Sequence, residues 1–167
     1  VSGLVHSRFG YNNVGFHLGS DYCTMDFDGP ISPEELREIE WEANRAAALD
    51  LELLVQYPSK EELEHMEYRS KIEIEGQVRI VSVPGYDVCA CCAPHVKRTG
   101  EIGMIKLVNR MNYKGGERIT MLCGFRALRD YEAKLAAAKE IGALLCEKEN
   151  QIAGAVKRQK EELEKQR

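Results

Sequence analysis

The chain has 167 residues, with 27 Asp and Glu against 23 Lys and Arg, a net charge of −4, and is 44% hydrophobic and 30% charged. That composition supports one domain with a buried core plus some excess length, and excludes a disordered tail. No apolar run approaches the roughly 18 residues of a membrane span and no signal-peptide pattern is present, so the expected compartment is the cytoplasm.

Taken in order, Val1 to Phe9 reads as the last turns of a helix already under way, stopped by Gly10. The other end runs out in a charged helix without a cap, and the chain reads as a piece excised from a longer protein. Residues 11–28 predict a hairpin, with a strand to His17, a Gly19-Ser20 turn and a second strand from Tyr22 to Phe27. Ser32-Pro33-Glu34-Glu35 is a capping box with Pro at the first helical position, and Leu36, Ile39, Ala43, Ala46 and Ala47 recur at helical spacing to about Leu49. Trp41, between Glu40 and Glu42, is expected as a core anchor. A strand from Glu52 to Tyr57 precedes a short helix capped by Ser59 and Glu62 and running through Met66, on which His65 is expected at the surface. Val78 to Val83 alternates like a strand and ends at Pro84-Gly85. Two further strands, 104–111 and 118–123, flank a Gly115-Gly116 turn. Helices mixed with antiparallel hairpins predict an α+β fold.

From Phe125 the pattern changes. Leu128, Tyr131, Leu135, Ala138, Leu145, Ile152, Val156 and Leu163 fall on a and d positions of one heptad register, interrupted by Gly142, Glu149 and Gln159. A single long helix over 125–167 needs a partner for that seam, which points to a coiled coil with a second copy (a homodimer) or with a missing C-terminal part, the alternative being an excess helix folded back onto the domain. The chain thus divides into a domain over 1–124 and a helical arm over 125–167.

Charge is uneven. Residues 21–75 hold 16 acidic and 5 basic side chains, whereas residues 95–118 hold six basic and two acidic ones. A basic strip on an acidic body can position one phosphate backbone without acting as a general nucleic-acid binder.

Three of the six cysteines stand within four positions in Asp87-Val88-Cys89-Ala90-Cys91-Cys92-Ala93-Pro94-His95. A Cys and a His four apart on a turn or compact loop can place sulfur and nitrogen on one zinc ion. Zinc needs further donors; Cys89 or Cys92 could add sulfur, although adjacent Cys91 and Cys92 fit one tetrahedral ion poorly. Read without context, metal ligands and buried structural cysteines are both open.

Cys91-Cys92-Ala93-Pro94-His95-Val96 followed by Thr99-Gly100-Glu101-Ile102-Gly103 resembles the editing domain of alanyl-tRNA synthetases and its free-standing relatives, whose signature is Cys-Gly-Gly-Thr-His-Val and then Thr-Gly-Glu-Ile-Gly. Phe16-His17-Leu18-Gly19-Ser20 with Met25-Asp26-Phe27, Glu35-Leu36 with Ile39-Glu40 and Asn44, and Gly116-Glu117-Arg118-Ile119 with Gly124 are similar to further family motifs in the same order, so the resemblance spans about residues 1–124.

The resemblance implies an aminoacyl-tRNA deacylase that hydrolyses serine or glycine from mischarged tRNA for alanine and uses zinc. An apolar pocket rejects an analogue that merely gains a hydroxyl by only about 100-fold, which is why a second, hydrolytic site is needed. It also implies Cys91 and His95 as zinc ligands, Ser20, His17 and Thr99 as substrate-binding residues, and Lys97, Arg98 and Arg118 as tRNA-binding residues. Zinc would either orient the substrate or activate a water. Three departures stand out: the family's His-x-x-x-His pair is not in the sequence, Cys92-Ala93-Pro94 replaces Gly-Gly-Thr, and Glu117 replaces the first Arg of Arg-Arg-Ile. The missing pair and Cys92-Ala93-Pro94 motivate a rival, a metal-free tRNA- or protein-binding module with the editing fold and a helical arm; a third reading takes the cysteine cluster as a thiol-based redox or structural zinc knot at Cys89, Cys91 and Cys92.

Overall fold

The computed structural model describes residues 1–70 and 76–166. The chain divides into two compact units, Val1–Ala127 and Leu128–Arg167.

In the first unit, helix α1 (Ser2–Phe9) ends at Gly10, whose φ of 74° is the left-handed cap that glycine adopts without a Cβ penalty. Strands β1 (Asn13–Leu18) and β2 (Cys23–Phe27) form the predicted hairpin. Helix α2 (Pro33–Ala48) starts at the Ser32–Glu35 capping box with both reciprocal bonds made, and buries Leu36, Ile39, Ala43, Ala46 and Ala47. Strand β3 (Leu54–Gln56) follows, and a second capping box, at Ser59 and Glu62, opens helix α3 (Lys60–Glu64). Strands β4 (Ile80–Val83), β5 (Asp87–Ala90), β6 (Ile105–Tyr113) and β7 (Gly116–Cys123) follow, with a 3-10 turn at Thr99–Ile102 between β5 and β6.

These strands make two antiparallel sheets, β1-β2-β7-β6 and β3-β4-β5. The α+β class read from the sequence is therefore the fold of the molecule. The four-stranded sheet carries the core: Met25, Phe27, Ile105, Leu107 and Ile119 pack against Val5 of α1 and Leu36, Ile39 and Ala43 of α2. Its β6 edge is closed by α2. Asn44 Oδ1 accepts from the Ile105 N–H at 2.9 Å and Asn44 Nδ2 donates to the Ile105 carbonyl at 2.7 Å, while Glu40 accepts from the Leu107 N–H at 2.6 Å. Side chains thus satisfy edge groups that a further strand would otherwise pair.

The β6–β7 turn is Lys114-Gly115, with φ of 49° and 83°, as a primed two-residue turn requires. Gly116, expected in the turn, already belongs to β7. It lies so close to β2 that a Cβ there would overlap the Phe27 carbonyl oxygen.

Two expectations fail. Trp41 is 77% exposed. It stands two residues from buried Ile39, which on a helix is the opposite face. The single long arm helix is instead two helices, α4 (Phe125–Leu145) and α5 (Ile152–Lys165). The break has the bonds of a Schellman cap: Glu147 N–H reaches the Gly142 carbonyl at 2.9 Å, Cys146 N–H reaches that of Ala143 at 3.3 Å, and Cys146 sits at φ 52°. Heptad interruptions at Gly142 and Glu149 flank it. Among the described residues no helix is long and apolar enough to cross a membrane.

Candidate functional site

The Cys-x-x-x-His run leaves the end of β5, whose residues the sequence pattern does not mark as a strand. Its anchoring is mostly polar. Arg69 runs beside β5, with its N–H on the Val88 carbonyl at 2.9 Å and its carbonyl accepting from Ala90 N–H at 2.8 Å. The Arg69 side chain grips Asp87 through two bonds of 2.8 and 2.5 Å in a largely buried setting. Burial alone would lower the Arg69 guanidinium, but the hydrogen bonds and charge of Asp87 raise it overall.

Cys91 is half-buried and Cys92, Ala93, Pro94 and His95 are exposed. Arg79, just before β4, holds this loop. Its carbonyl accepts from Cys91 N–H at 3.0 Å, and its Nη1 donates to the carbonyls of Cys91 at 2.7 Å and Ala93 at 3.1 Å. His95 Nδ1 lies 2.8 Å from the Ala93 carbonyl oxygen and 3.5 Å from Arg79 Nη1.

The next segment seats on the end of α2. Thr99 is buried; its hydroxyl donates to the Ala46 carbonyl at 2.7 Å and accepts from Leu51 N–H at 2.8 Å. Both bonds stay within the fold, so Thr99 shapes the segment rather than presenting a hydroxyl to an outside ligand. Glu101 accepts from the N–H groups of Arg98 at 2.8 Å and Lys97 at 3.1 Å. Arg98 is bound to Asp50, whose carboxylate raises the guanidinium further above its ordinary value. Lys97 is exposed, and no ion pair among the described residues involves its ammonium.

The remaining expected residues sit elsewhere in the unit. His17 and Ser20 are exposed at the tip end of the β1–β2 hairpin, where Gly19 N–H bonds the Tyr22 carbonyl at 2.9 Å. No hydrogen bond joins either to Cys91 or His95. Arg118 on β7 makes a two-pronged pair with Asp26 at 2.6 and 2.7 Å and lies 3.7 Å from the centre of the Tyr113 ring, and Asp26 raises it. The Asp-Phe and Glu-Arg-Ile motifs of the sequence are thus two halves of one cross-strand ion pair.

One sulfur and one nitrogen suit zinc, but a zinc site takes at least three protein donors. Among the described residues no group of three or more His, Cys, Asp or Glu side chains is placed to hold a metal ion. Cys91 and His95 are by residue type two of the donors zinc takes, and the described residues supply no third beside them. Cys89 lies on β5, two residues before Cys91.

Sequence reasoning missed Arg79, Glu40 and Asn44 as organising residues. Glu40 and Asn44 stood in a quoted motif, but Arg79 had no signal beyond being a cation in a strand-like run.

The segment that holds this loop, residues 78–120, matches the model of the threonyl and alanyl tRNA synthetase second additional domain. The chain is 34% identical over 162 residues to an alanine–tRNA ligase of Methanopyrus kandleri, covering 92% of this chain and 18% of the ligase. It is 27% identical over 168 residues to the alanyl-tRNA editing protein AlaX-L of Pyrococcus horikoshii, covering 93% of this chain and 41% of that protein. This chain belongs to the alanyl-tRNA synthetase editing-domain family. It spans less than half the length of either relative.

Proposed function

We propose that this chain is the editing domain of a cytoplasmic, zinc-dependent aminoacyl-tRNA deacylase that removes serine or glycine from mischarged tRNA for alanine. The observation that carries the reading is the Cys91–His95 loop in the family-matched segment. His95 places Nδ1 on the Ala93 carbonyl, so Nε2 is the nitrogen that would ligate, as in a ligating histidine whose other nitrogen is held by a carbonyl.

Cys91 and His95 would hold zinc together with donors from outside the described residues. Bound zinc supplies Lewis-acid polarisation of the ester or a water acidic enough to ionise near neutral pH. The Ser20 hydroxyl, together with His17 from the same hairpin, recognises the hydroxyl of a serine ester; a site that hydrogen-bonds such a group discriminates against an alanine ester by roughly 10⁴ or more. Thr99 keeps the loop in place. Lys97 offers its charge to the acceptor-end phosphates, with Arg98 and Arg118 adding what their pairs with Asp50 and Asp26 leave over. The exposed apolar residues of α4, Leu128 and Tyr131 among them, serve self-association of the arm.

The test uses the full-length protein that carries this domain. Cys91→Ala and His95→Ala are each expected to lose bound zinc and to slow hydrolysis of seryl-tRNA for alanine by at least about 100-fold, with the thermal melt unchanged. Full activity in both variants overturns the site. Intact tRNA binding without any hydrolysis in the wild type selects the metal-free binding module instead.

A further inference from the structure

We propose that Arg79 is the positioning residue of the Cys91–His95 loop, setting the path of its backbone and the tautomer of His95. The proposal rests on the reading of Cys91 and His95 as the reactive pair. It uses contacts that neither the motif nor the family match assigns.

The loop has little else to hold it. From Cys92 to His95 every residue is exposed, and neither helix nor strand continues there. Pro94 offers no N–H. A segment without buried apolar side chains keeps one conformation only through polar tethers. Here one guanidinium nitrogen supplies two of them, to the carbonyls of Cys91 and Ala93, while the Arg79 carbonyl takes the Cys91 N–H. Both ends of the Arg79 residue, main chain and side chain, therefore grip the loop.

The geometry also assigns the proton on His95. An unprotonated Nδ1 would set its lone pair against those of the Ala93 oxygen at 2.8 Å. A proton on Nδ1 turns that approach into a hydrogen bond, and the carbonyl has two lone pairs, one for His95 and one for Arg79. Arg79 Nη1, 3.5 Å from Nδ1, is a second donor converging on the same oxygen. Nε2 is left with its lone pair outward, as ligation or base chemistry needs. Arg79 thus acts through Ala93: it fixes the acceptor that fixes the ring. A guanidinium suits this work, being planar, always charged and able to bridge two carbonyls.

The test begins with the chain carrying ¹⁵N-labelled histidine, in long-range proton–nitrogen spectra taken at a pH above the imidazole titration. The expected wild-type pattern for His95 is a proton on Nδ1 and a lone pair on Nε2. Arg79→Met is expected to turn His95 into a mixture of tautomers while His6, His17 and His65 keep their signals, and Arg79→Lys to restore part of the Nδ1–H form. In the full-length protein Arg79→Met is expected to lower kcat for deacylation by about 10- to 100-fold, with KM for the tRNA within about 2-fold. A wild-type proton on Nε2, or an Arg79→Met spectrum identical to wild type, overturns the proposal. Should Arg79→Met fail to fold, the wild-type guanidinium decides. Separate, slowly rotating Arg79 signals support the tether, and one averaged signal overturns it. A wild-type protein without editing activity but with the expected tautomer would overturn the functional reading and leave the role of Arg79 standing.

Discussion

The two sheets of the first unit are held together by different physics. The four-stranded sheet lies under α1 and α2, and Phe27 and Ile119 at its centre are essentially inaccessible. The three-stranded sheet buries Ile80 and Val81, but all of β5 is only half-buried and all of β3 is exposed. Where apolar burial thins out, arginines take over: Arg69 on Asp87, Arg79 on the Cys91 and Ala93 carbonyls, Arg98 on Asp50. Apolar packing gives stability without fixing small distances at an exposed loop, whereas directional bonds fix geometry at modest net gain. The candidate chemistry sits on the second kind of support.

The strongest way to break this comparison is a matched pair of truncations. Ile119→Ala in the large sheet and Ile80→Ala in the small one both remove a fully buried side chain. Ile119→Ala is expected to cost about 4–5 kcal/mol and Ile80→Ala about 2 kcal/mol, because half-exposed neighbours can collapse around the smaller residue. Denaturant melts measure both, and equal losses would erase the distinction. Next comes Thr99→Val, which leaves the Ala46 carbonyl and Leu51 N–H without their partner. It should cost about 1–3 kcal/mol in the same melts and loosen the loop, visible as faster hydrogen exchange from residues 97 to 103.

A smaller effect sharpens the comparison through two identical motifs. Ser32 and Ser59 both make complete capping boxes, but α2 carries five buried residues and α3 none. Ser32→Ala is expected to cost about 1 kcal/mol of global stability. Ser59→Ala should leave the melting temperature unchanged and raise hydrogen exchange in α3 alone. The smallest effect is acid sensitivity. Backbone hydrogen bonds from Ser32 and Ser59 hold the Glu35 and Glu62 carboxyls below their usual range, and the Asn12 side chain does the same for Asp28. Groups depressed in the fold contribute stability above their unfolded values, about 4 to 4.5, and lose it as pH falls through the folded ones. Melts should therefore be flat in these terms from pH 5 to 8 and decline gently below about pH 4.5. A decline starting above pH 6 would rule these carboxyls out as its source.

Local signals were read reliably where local chemistry decides. Both capping boxes, the glycine stop of α1 and the first hairpin are in place because caps and turns are closed by neighbours in the chain. Trp41 could have been placed correctly by the helical period that placed Ile39. The break at Cys146 was less legible, since a left-handed cysteine carries no sequence signal, although Gly142 and Glu149 marked the region. The partners of Thr99 were not legible, because nothing in the sequence reveals that Ala46 and Leu51 lie against it.

What the sequence determined by itself is most of the elements, the α+β class and the family, all carried by residue type and spacing along the chain. What only the tertiary structure decided is who touches whom across long separations. Asp26 meets Arg118 92 positions away, and Asn44 closes the edge at Ile105 61 positions away. Arg79 meets Cys91 where the β4–β5 ladder, which pairs Ile80 with Ala90, runs on by one residue. Such partners share no local pattern, because directional bonds between distant residues exist only after the sheets have packed and brought donor and acceptor within 3 Å.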